Sequence, residues 1–422
     1  MNHNQLDVKE MRFNTIQSYL DKGYDYVVVI KANIPGQHKH RSESYMIVHV
    51  GEHILKTMLS DITCIRHEGE DGPWTLALLK MDMIHLKHKL IEIENNHALG
   101  RLLDLDIYDQ SLEPISRTAL GYPKRACFLC DKDAHLCVRE KTHPFEELDA
   151  YIKKTIHAYL VDTLSYFIKE SMMKELNLDH KFGLVTPSTS GSHVDMNYEL
   201  MVKTQQIIIP YLTNIFFVGY SDIERYRLLT EARKIGINAE WAMFEKTNGV
   251  NCYKGLIFIL GLVLVSLGYT LYNHQTFEHT FHNIQLISKP LLDDFMDKPI
   301  TFGEHAYQEH RIMGARGEAY LGLPSVHHAL SFLEHKELTD TELRKSLQLI
   351  IRSTDDTVLL KRAKSFENYL EAKKRIENVN MDHLDDVKSF TKWAIENRLS
   401  FGGSADLLIA TLFLYYIKPI FF

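Results

Sequence analysis

The chain is poor in cysteine. Five occur in 422 residues: Cys64, Cys127, Cys130, Cys137 and Cys252. So sparse and odd a set in a long chain excludes a disulfide framework and fits a reducing cytoplasm. Long apolar runs are also missing. The longest, Leu256 to Gly268, has 13 residues, short of the roughly 20 that a membrane-spanning helix needs. It reads as a buried core helix, and residues 1–13 show no apolar signal core, so no membrane partner is expected. Basic charge is not in excess: the formal net charge is −7 and the pI about 6.4. This excludes a protein that coats nucleic acid through broad phosphate contacts, but leaves room for a local basic pocket. There is no Walker phosphate loop, internal repeat, low-complexity tract or Gly/Ser linker. What remains is ordinary globular material, 45 % hydrophobic and 24 % charged, and enough of it for two or three domains.

Periodicity divides the chain near residue 150. Residues 1–150 read as a mixed α/β domain. Asp7 to Leu20 has a helical pattern, and strands are expected at Tyr26–Lys31, Tyr45–Val50, Trp74–Lys80 and Leu102–Tyr108. Residues 151–422 read as an all-α domain. Its expected helices are Phe145–Leu176 (crossing the boundary), Asn197–Tyr211, Asp222–Ile235, Asn251–Leu271, Asp340–Ile351 and Ser404–Tyr416, with motif-bearing turns between them.

In the first half, Arg101 precedes Asp104 and Asp106, which a strand would place on one face. Two carboxylates so placed can hold a divalent ion such as Mg²⁺ against a phosphate, and Arg101 can hold a phosphate oxygen. The plainer alternative is a solvent-facing strand with two surface aspartates. Downstream, Cys127 and Cys130 have metal-ligand spacing, and Cys137 and His143 complete a possible Zn²⁺ set. The alternative is small buried residues in a reducing compartment. Arg125 and Arg139, with Lys124 and Lys141, suit an anionic substrate.

In the second half, a Gly/Pro-punctuated loop presents His193 and Asp195 ahead of a helix, where Asp195 or Asn197 could equally be a cap. Asn248 and Asn251 precede Lys254 at the start of the most apolar helix, a ready anion site, or ordinary capping with a solvated lysine. Arg316 and Glu318 lie in a glycine-bounded segment, Gly314 to Ala319. This reads as either a ligand-approach turn or a surface ion pair. Asp356 lies in a further acidic turn. Gly402, Gly403 and Ser404 open the last long helix ahead of Asp406, as a phosphate-accepting start or as plain capping by Ser404. His279 and His282, interleaved with Phe277 and Phe281, read as an exposed aromatic helix.

With these residues in view, the first 150 or so residues resemble the apo-citrate lyase phosphoribosyl-dephospho-CoA transferase family. The matching pieces are Ile34-Pro35-Gly36 with Lys39, Gly100-Arg101-Leu102 with Asp104-Leu105-Asp106, and the Arg125, Cys127, Cys130, Cys137, His143 block. The resemblance implies nucleotidyltransferase-like chemistry: a serine of the citrate lyase acyl carrier subunit attacks the α-phosphorus of triphosphoribosyl-dephospho-CoA, and pyrophosphate leaves. The second half resembles the triphosphoribosyl-dephospho-CoA synthase family. The match rests on Gly191 to Met196, Thr247 to Asn251 with Lys254-Gly255, Gly314 to Ala319, and Gly402 to Leu407. It implies that ATP reacts with 3′-dephospho-CoA and releases adenine, leaving the triphosphate on the transferred ribose. Departures from the family pattern fall at Phe182, Tyr253, Val358, Lys364 and Phe401. Positive charge develops on the ribose in such a transfer, so Asp195, Glu318, Asp356 and Asp406 are the expected acidic set. Arg316 and Lys254 are expected to hold the triphosphate. The competing expectation is a nucleotide-binding regulatory protein or scaffold with only the first half active.

Overall fold

The computed structural model describes residues 3–36, 38–59, 61–295 and 299–422. The chain divides into two compact units, Met1–Thr163 with Pro419–Phe422, and Leu164–Lys418.

Unit 1 runs α1 (His3–Leu20), β1 (Tyr26–Ala32), α2 (Ser42–Met58), β2 (Thr63–Gly69), β3 (Gly72–Leu78), α3 (Met83–Asn96), β4 (Leu103–Asp109) and α4 (Ala134–Glu140). The four strands form one antiparallel sheet in the order β2-β3-β1-β4. The β-branched run Val27-Val28-Val29-Ile30 makes β1 a strand buried on both faces. Val27 and Val29 join Ile16 and Leu20 of α1 in one cluster. On the other face, Gly51 of α2 lies against Ile30 and Leu103, closely enough that a Cβ would stand 2.7 Å from the Leu103 side chain.

One expected strand is corrected here, and one unexpected strand is added. Tyr45–Val50 is not a strand but part of α2. Its buried Met46, Ile47, Val50 and Leu55 follow helical spacing, which overrides the local β-branched pair. A strand that the pattern did not announce, β2, pairs only with β3 at the sheet edge, where its side chains are half-buried or exposed.

The helix α5 (Phe145–Asn177) carries the chain across the unit boundary. Unit 2 is helical throughout its described residues. It comprises α6 (Tyr198–Gly219), α7 (Arg225–Lys246), α8 (Lys254–Tyr272), α9 (Glu278–Ser288), α10 (Phe302–His310), α11 (Gly314–Tyr320), α12 (Pro324–Leu333), α13 (Asp340–Ser353), α14 (Thr357–Ala363), α15 (Phe366–Glu377), α16 (Leu384–Glu396) and most of α17 (Gly402–Phe421), whose last residues from Pro419 belong to unit 1. By length and composition α8 and α17 could each cross a membrane, but 78 % and 72 % of their most apolar windows are buried in the fold. Helix α8 fits the core because glycines allow close approach: at Gly268 a Cβ would stand 2.2 Å from the Phe216 carbonyl of α6. Helix α9 is not an exposed aromatic helix. Phe277 and Phe281 are buried and edge-to-face, while Glu278, His279 and His282 beside them face outward.

Candidate active sites

In unit 1, a cavity of about 570 Å³ opens between the Asn33–Gly36 turn and the segment from Arg125 to Leu148. Asn33 fixes its own turn, donating from its backbone N to the Leu102 carbonyl (2.7 Å) and from Nδ2 to the Arg101 carbonyl (3.2 Å). Arg101 donates to the Ala126 carbonyl and lies over the Phe128 ring. Arg125 donates to the Leu103 carbonyl at 2.9 Å and pairs with buried Glu94, which in turn accepts from the Leu105 backbone N at 3.1 Å. The two arginines therefore tie the cavity wall to β4. Arg139 is exposed on α4 and does not line this cavity.

Asp104 and Asp106 stand opposite Lys31 and Val29 in the ladder, on one sheet face as alternation requires. They are half-buried rather than solvated surface groups. Burial, and then the charge of Asp104, raise the Asp106 carboxyl to about 6, against which Lys87 stands 3.8 Å away. The pair does not line the cavity itself but adjoins it through Leu103 and Arg125. Cys127, Cys130, Cys137 and His143 converge, with their four candidate ligand atoms within 4.8 Å of one another.

In unit 2, a cavity of about 680 Å³ collects residues far apart in sequence: Lys181, His193, Asp195, Asn251, Lys254, Gly255, Lys361, Arg362, Gly402 and Asp406 among them. Arg362 donates from Nη1 to the Ser192 carbonyl (3.0 Å) and from Nη2 to His193 Nδ1 (2.8 Å). That makes Nδ1 the acceptor and assigns the ring proton to Nε2, which faces Ser400 Oγ at 2.9 Å. Burial, and then the Arg362 charge, push His193 down to about 4, so the ring is neutral near pH 7. Lys181 is buried against Glu175. Asn251 caps α8 by accepting from the Lys254 backbone N at 3.0 Å, and Lys254 pairs with Glu240 at 2.8 Å. Asn248 is exposed and stands outside the cavity lining.

The acidic set separates into different roles. Asp356 uses both oxygens: one accepts from the backbone N of Val358 and Leu359, each at 2.9 Å, and the other from Ser404 N and Oγ at 2.9 and 3.0 Å. It pins the start of α14 to the start of α17. Ser404 is correspondingly buried against Asp356, and Gly403 packs on the same carboxylate; neither lines the cavity, and only Gly402 of that trio does. Glu318 is not in a turn but on α11, buried, its carboxylate accepting from Ser325 Oγ at 2.8 Å at the start of α12. Burial raises its carboxyl. Arg316 reaches Glu304 at 3.1 Å. The Gly314–Ala319 block thus braces the site from behind, with Gly314 against Thr357. Asp195 is exposed at the cavity rim. Asp406 differs from all of these. It is half-buried in the cavity wall, with no hydrogen-bond or ion-pair partner among the described residues, and desolvation followed by the charges of Asp356 and Glu175 holds its carboxyl well above the usual range.

Two departures from the family pattern meet in space. Phe182 is buried at φ 59°, which a proline cannot adopt. Its ring packs edge-to-face against Phe390 and Phe401, with centroids at 5.5 and 6.4 Å. Tyr253 is buried and accepts from Gln205 at 3.0 Å. Sequence reasoning passed over Glu175, Lys361 and Ser400 as site residues. Glu175 lies in a 33-residue helix with several other acids, and only its tertiary neighbour Lys181 marks it out.

Comparison with known proteins places this geometry. Residues 3–159 match the family of apo-citrate lyase phosphoribosyl-dephospho-CoA transferase, and residues 161–420 the family of ATP:dephospho-CoA triphosphoribosyl transferase. The chain belongs to the second of these families, and its first part is similar to the first. It is 29 % identical to Protein CitXG of Leuconostoc mesenteroides subsp. cremoris, over 97 % of this chain and 95 % of that one. It is 28 % identical to Protein CitXG of Haemophilus influenzae, over 82 % and 79 %. A probable 2-(5''-triphosphoribosyl)-3'-dephosphocoenzyme-A synthase of Photobacterium profundum is 36 % identical over 60 % of this chain and 85 % of its own. The two clefts accordingly belong to a bifunctional transferase, one to each family region.

Proposed function

We propose that unit 2 makes 2′-(5″-triphosphoribosyl)-3′-dephospho-CoA from ATP and 3′-dephospho-CoA, and that unit 1 transfers phosphoribosyl-dephospho-CoA from it to a serine of the citrate lyase acyl carrier subunit. The observation that carries the first assignment is Asp406, an unpartnered, half-buried carboxylate facing a cleft also lined by Lys254, Lys361 and Arg362. In the synthase step a bond forms from the acceptor hydroxyl oxygen of dephospho-CoA to C1′ of the ATP ribose, the C1′–adenine bond breaks, and adenine leaves with a proton. Asp406 is the group to take the hydroxyl proton and offset charge on the ribose. The three cations suit the triphosphate. Neutral His193, locked by Arg362 and Ser400, shapes the wall without adding positive charge where the ribose becomes cationic.

In unit 1, Asp104 and Asp106 would hold Mg²⁺, whose charge would stabilise pyrophosphate as it leaves. The raised Asp106 supports this, because two facing carboxylates with one cation 3.8 Å away are short of positive charge. Arg101 and Arg125 border the cleft where the phosphates would lie. A reducing, cytoplasmic setting suits five unpaired cysteines.

The test is to incubate the carrier subunit with this protein, ATP, Mg²⁺ and 3′-dephospho-CoA, and to follow adenine and carrier mass. Asp406→Asn should abolish adenine release yet still attach preformed triphosphoribosyl-dephospho-CoA; Asp104→Asn and Asp106→Asn should do the reverse. Adenine release at the wild-type rate by Asp406→Asn would overturn the assignment of the base.

A further inference from the structure

We propose that Cys127, Cys130, Cys137 and His143 form a closed, four-ligand zinc site that builds the wall of the unit 1 cleft. The donor atoms are already assembled. Cys127 and Cys137 sulfurs stand 3.3 Å apart, His143 Nε2 and the Cys130 sulfur 3.3 Å apart, and all four donors lie within 4.8 Å of one another. A tetrahedral zinc with ordinary Zn–S and Zn–N lengths sets its donors about 3.5–3.8 Å apart, inside that range.

The backbone has the form such a site needs. Cys127 donates from its N to the Lys132 carbonyl at 2.8 Å, and Ala134 N returns to the Arg125 carbonyl at 2.9 Å, so the first two cysteines sit on a tight hairpin. The Cys127 sulfur accepts backbone hydrogen bonds at Leu129 and Cys130. Asp133 caps α4, which carries Cys137, and Lys141 ends it in the left-handed conformation, turning the chain back so that His143 reaches Cys130. The other ring nitrogen of His143 faces Glu147 at 3.7 Å, which orients Nε2 toward the sulfur.

A second observation points the same way. From residue 110 to residue 149, Cys137 is the one buried residue. A 40-residue stretch without an apolar core of its own needs another cross-link to hold a shape. Four protein ligands leave no open position, so the metal is structural. Its effect on function is indirect: Cys127, Cys137 and His143 share the cavity wall with Arg125, Phe128 and Lys141. Losing the metal frees that wall. The cleft-building role rests on the transferase function proposed above, whereas the metal is read out without any substrate.

The experiment uses the full chain, expressed with zinc and dialysed, with the metal measured by elemental analysis. About one equivalent per chain is expected. Replacement by Co²⁺ should give the visible bands of tetrahedral cobalt with a thiolate charge-transfer band. Cys130→Ser should lower zinc to below about a tenth of an equivalent and carrier attachment at least about tenfold. Its adenine release should persist, reporting that unit 2 is folded. Cys64→Ser should keep the zinc. A metal-free wild-type chain that gives no tetrahedral cobalt spectrum overturns the site. Equal zinc in Cys130→Ser and Cys64→Ser does the same. Zinc loss that leaves attachment unchanged overturns the cleft-building role alone. Failure of attachment in a zinc-loaded wild-type chain would count against the functional reading and leave the metal site standing.

Discussion

Removing the countercharge at Glu175 tests whether the unit 2 cleft is built on a buried ion pair. Lys181 is 1 % exposed and donates to the Glu175 carboxylate and to the Glu175 carbonyl, both at 2.6 Å. The ammonium thus also satisfies a carbonyl in the last turn of α5, where a cation is favoured. In Glu175→Gln it keeps oxygen acceptors but loses its charge partner. Breaking a buried pair in this way costs about 3–5 kcal/mol. A second route bounds the cost, because the lysine can discharge instead. Releasing its proton at pH 7.5 from an ordinary pKa of 10.5 is 3 units, about 4 kcal/mol at 1.36 kcal/mol per unit.

The two figures agree, and the second fixes the pH dependence. Burial already lowers the lysine pKa below its unfolded value in the wild-type fold, and loss of the Glu175 charge lowers it further. In the variant the unfolded chain therefore binds more protons than the folded one by a wider margin. Stability then rises with pH through the window between the two values. The defect should shrink by up to about 1.4 kcal/mol per pH unit between pH 7.5 and 9. Adding Lys181→Met should recover at least about 2 kcal/mol of the loss, since no unpaired charge remains. Urea unfolding followed by tryptophan fluorescence reads this, as Trp241 and Trp393 lie in unit 2. A Glu175→Gln defect under about 1 kcal/mol at pH 7.5, or one that does not shrink toward pH 9, refutes the reasoning.

Gly255→Ala would place a Cβ 2.1 Å from Asp406 Oδ2; adenine release should fall about 100-fold with a stability loss of about 1–3 kcal/mol, and a variant with wild-type turnover would show that the carboxylate position is not critical. His193, held at about 4 against an ordinary 6.5, stays neutral in the fold while the unfolded chain gains a proton. Wild type should therefore lose about 2 kcal/mol more than His193→Gln as pH falls from 6.5 to 4, after discount for partial exposure; equal pH dependence of the two urea midpoints would contradict the neutral ring.

The fold was legible where one period dominated over many residues. Helix α8 is apolar throughout and α13 has a clean amphipathic stripe, so their existence followed from pattern. Tyr45–Val50 failed because six residues with a β-branched pair look like a strand until the window is widened to Leu55, where the helical spacing becomes evident. The edge strand β2, Thr63–Gly69, offers no buried face to recognise; it is a strand because Gly72–Leu78 supplies its hydrogen-bond partners. Pairing of that kind is a property of two segments, and neither segment carries it alone.

The candidate site was legible as residue types but not as roles. Asp356, Asp406 and Glu318 all stand near glycines and helix ends, and nothing in their local sequence ranks them. What separates them is the number of donors each meets. Four N–H and O–H groups converge on Asp356, two of them from Ser404, 48 residues away. Glu318 is occupied by Ser325. Each of these carboxylates is already engaged, so using it as a base would first mean breaking its hydrogen bonds inside the protein. Asp406 has no such bonds to break, and its burial raises the proton affinity that a base needs. The same lack of partners that makes it costly to the folded chain makes it available to a substrate hydroxyl. Gly255 fits this reading, since any side chain there would occupy the space that the carboxylate takes up.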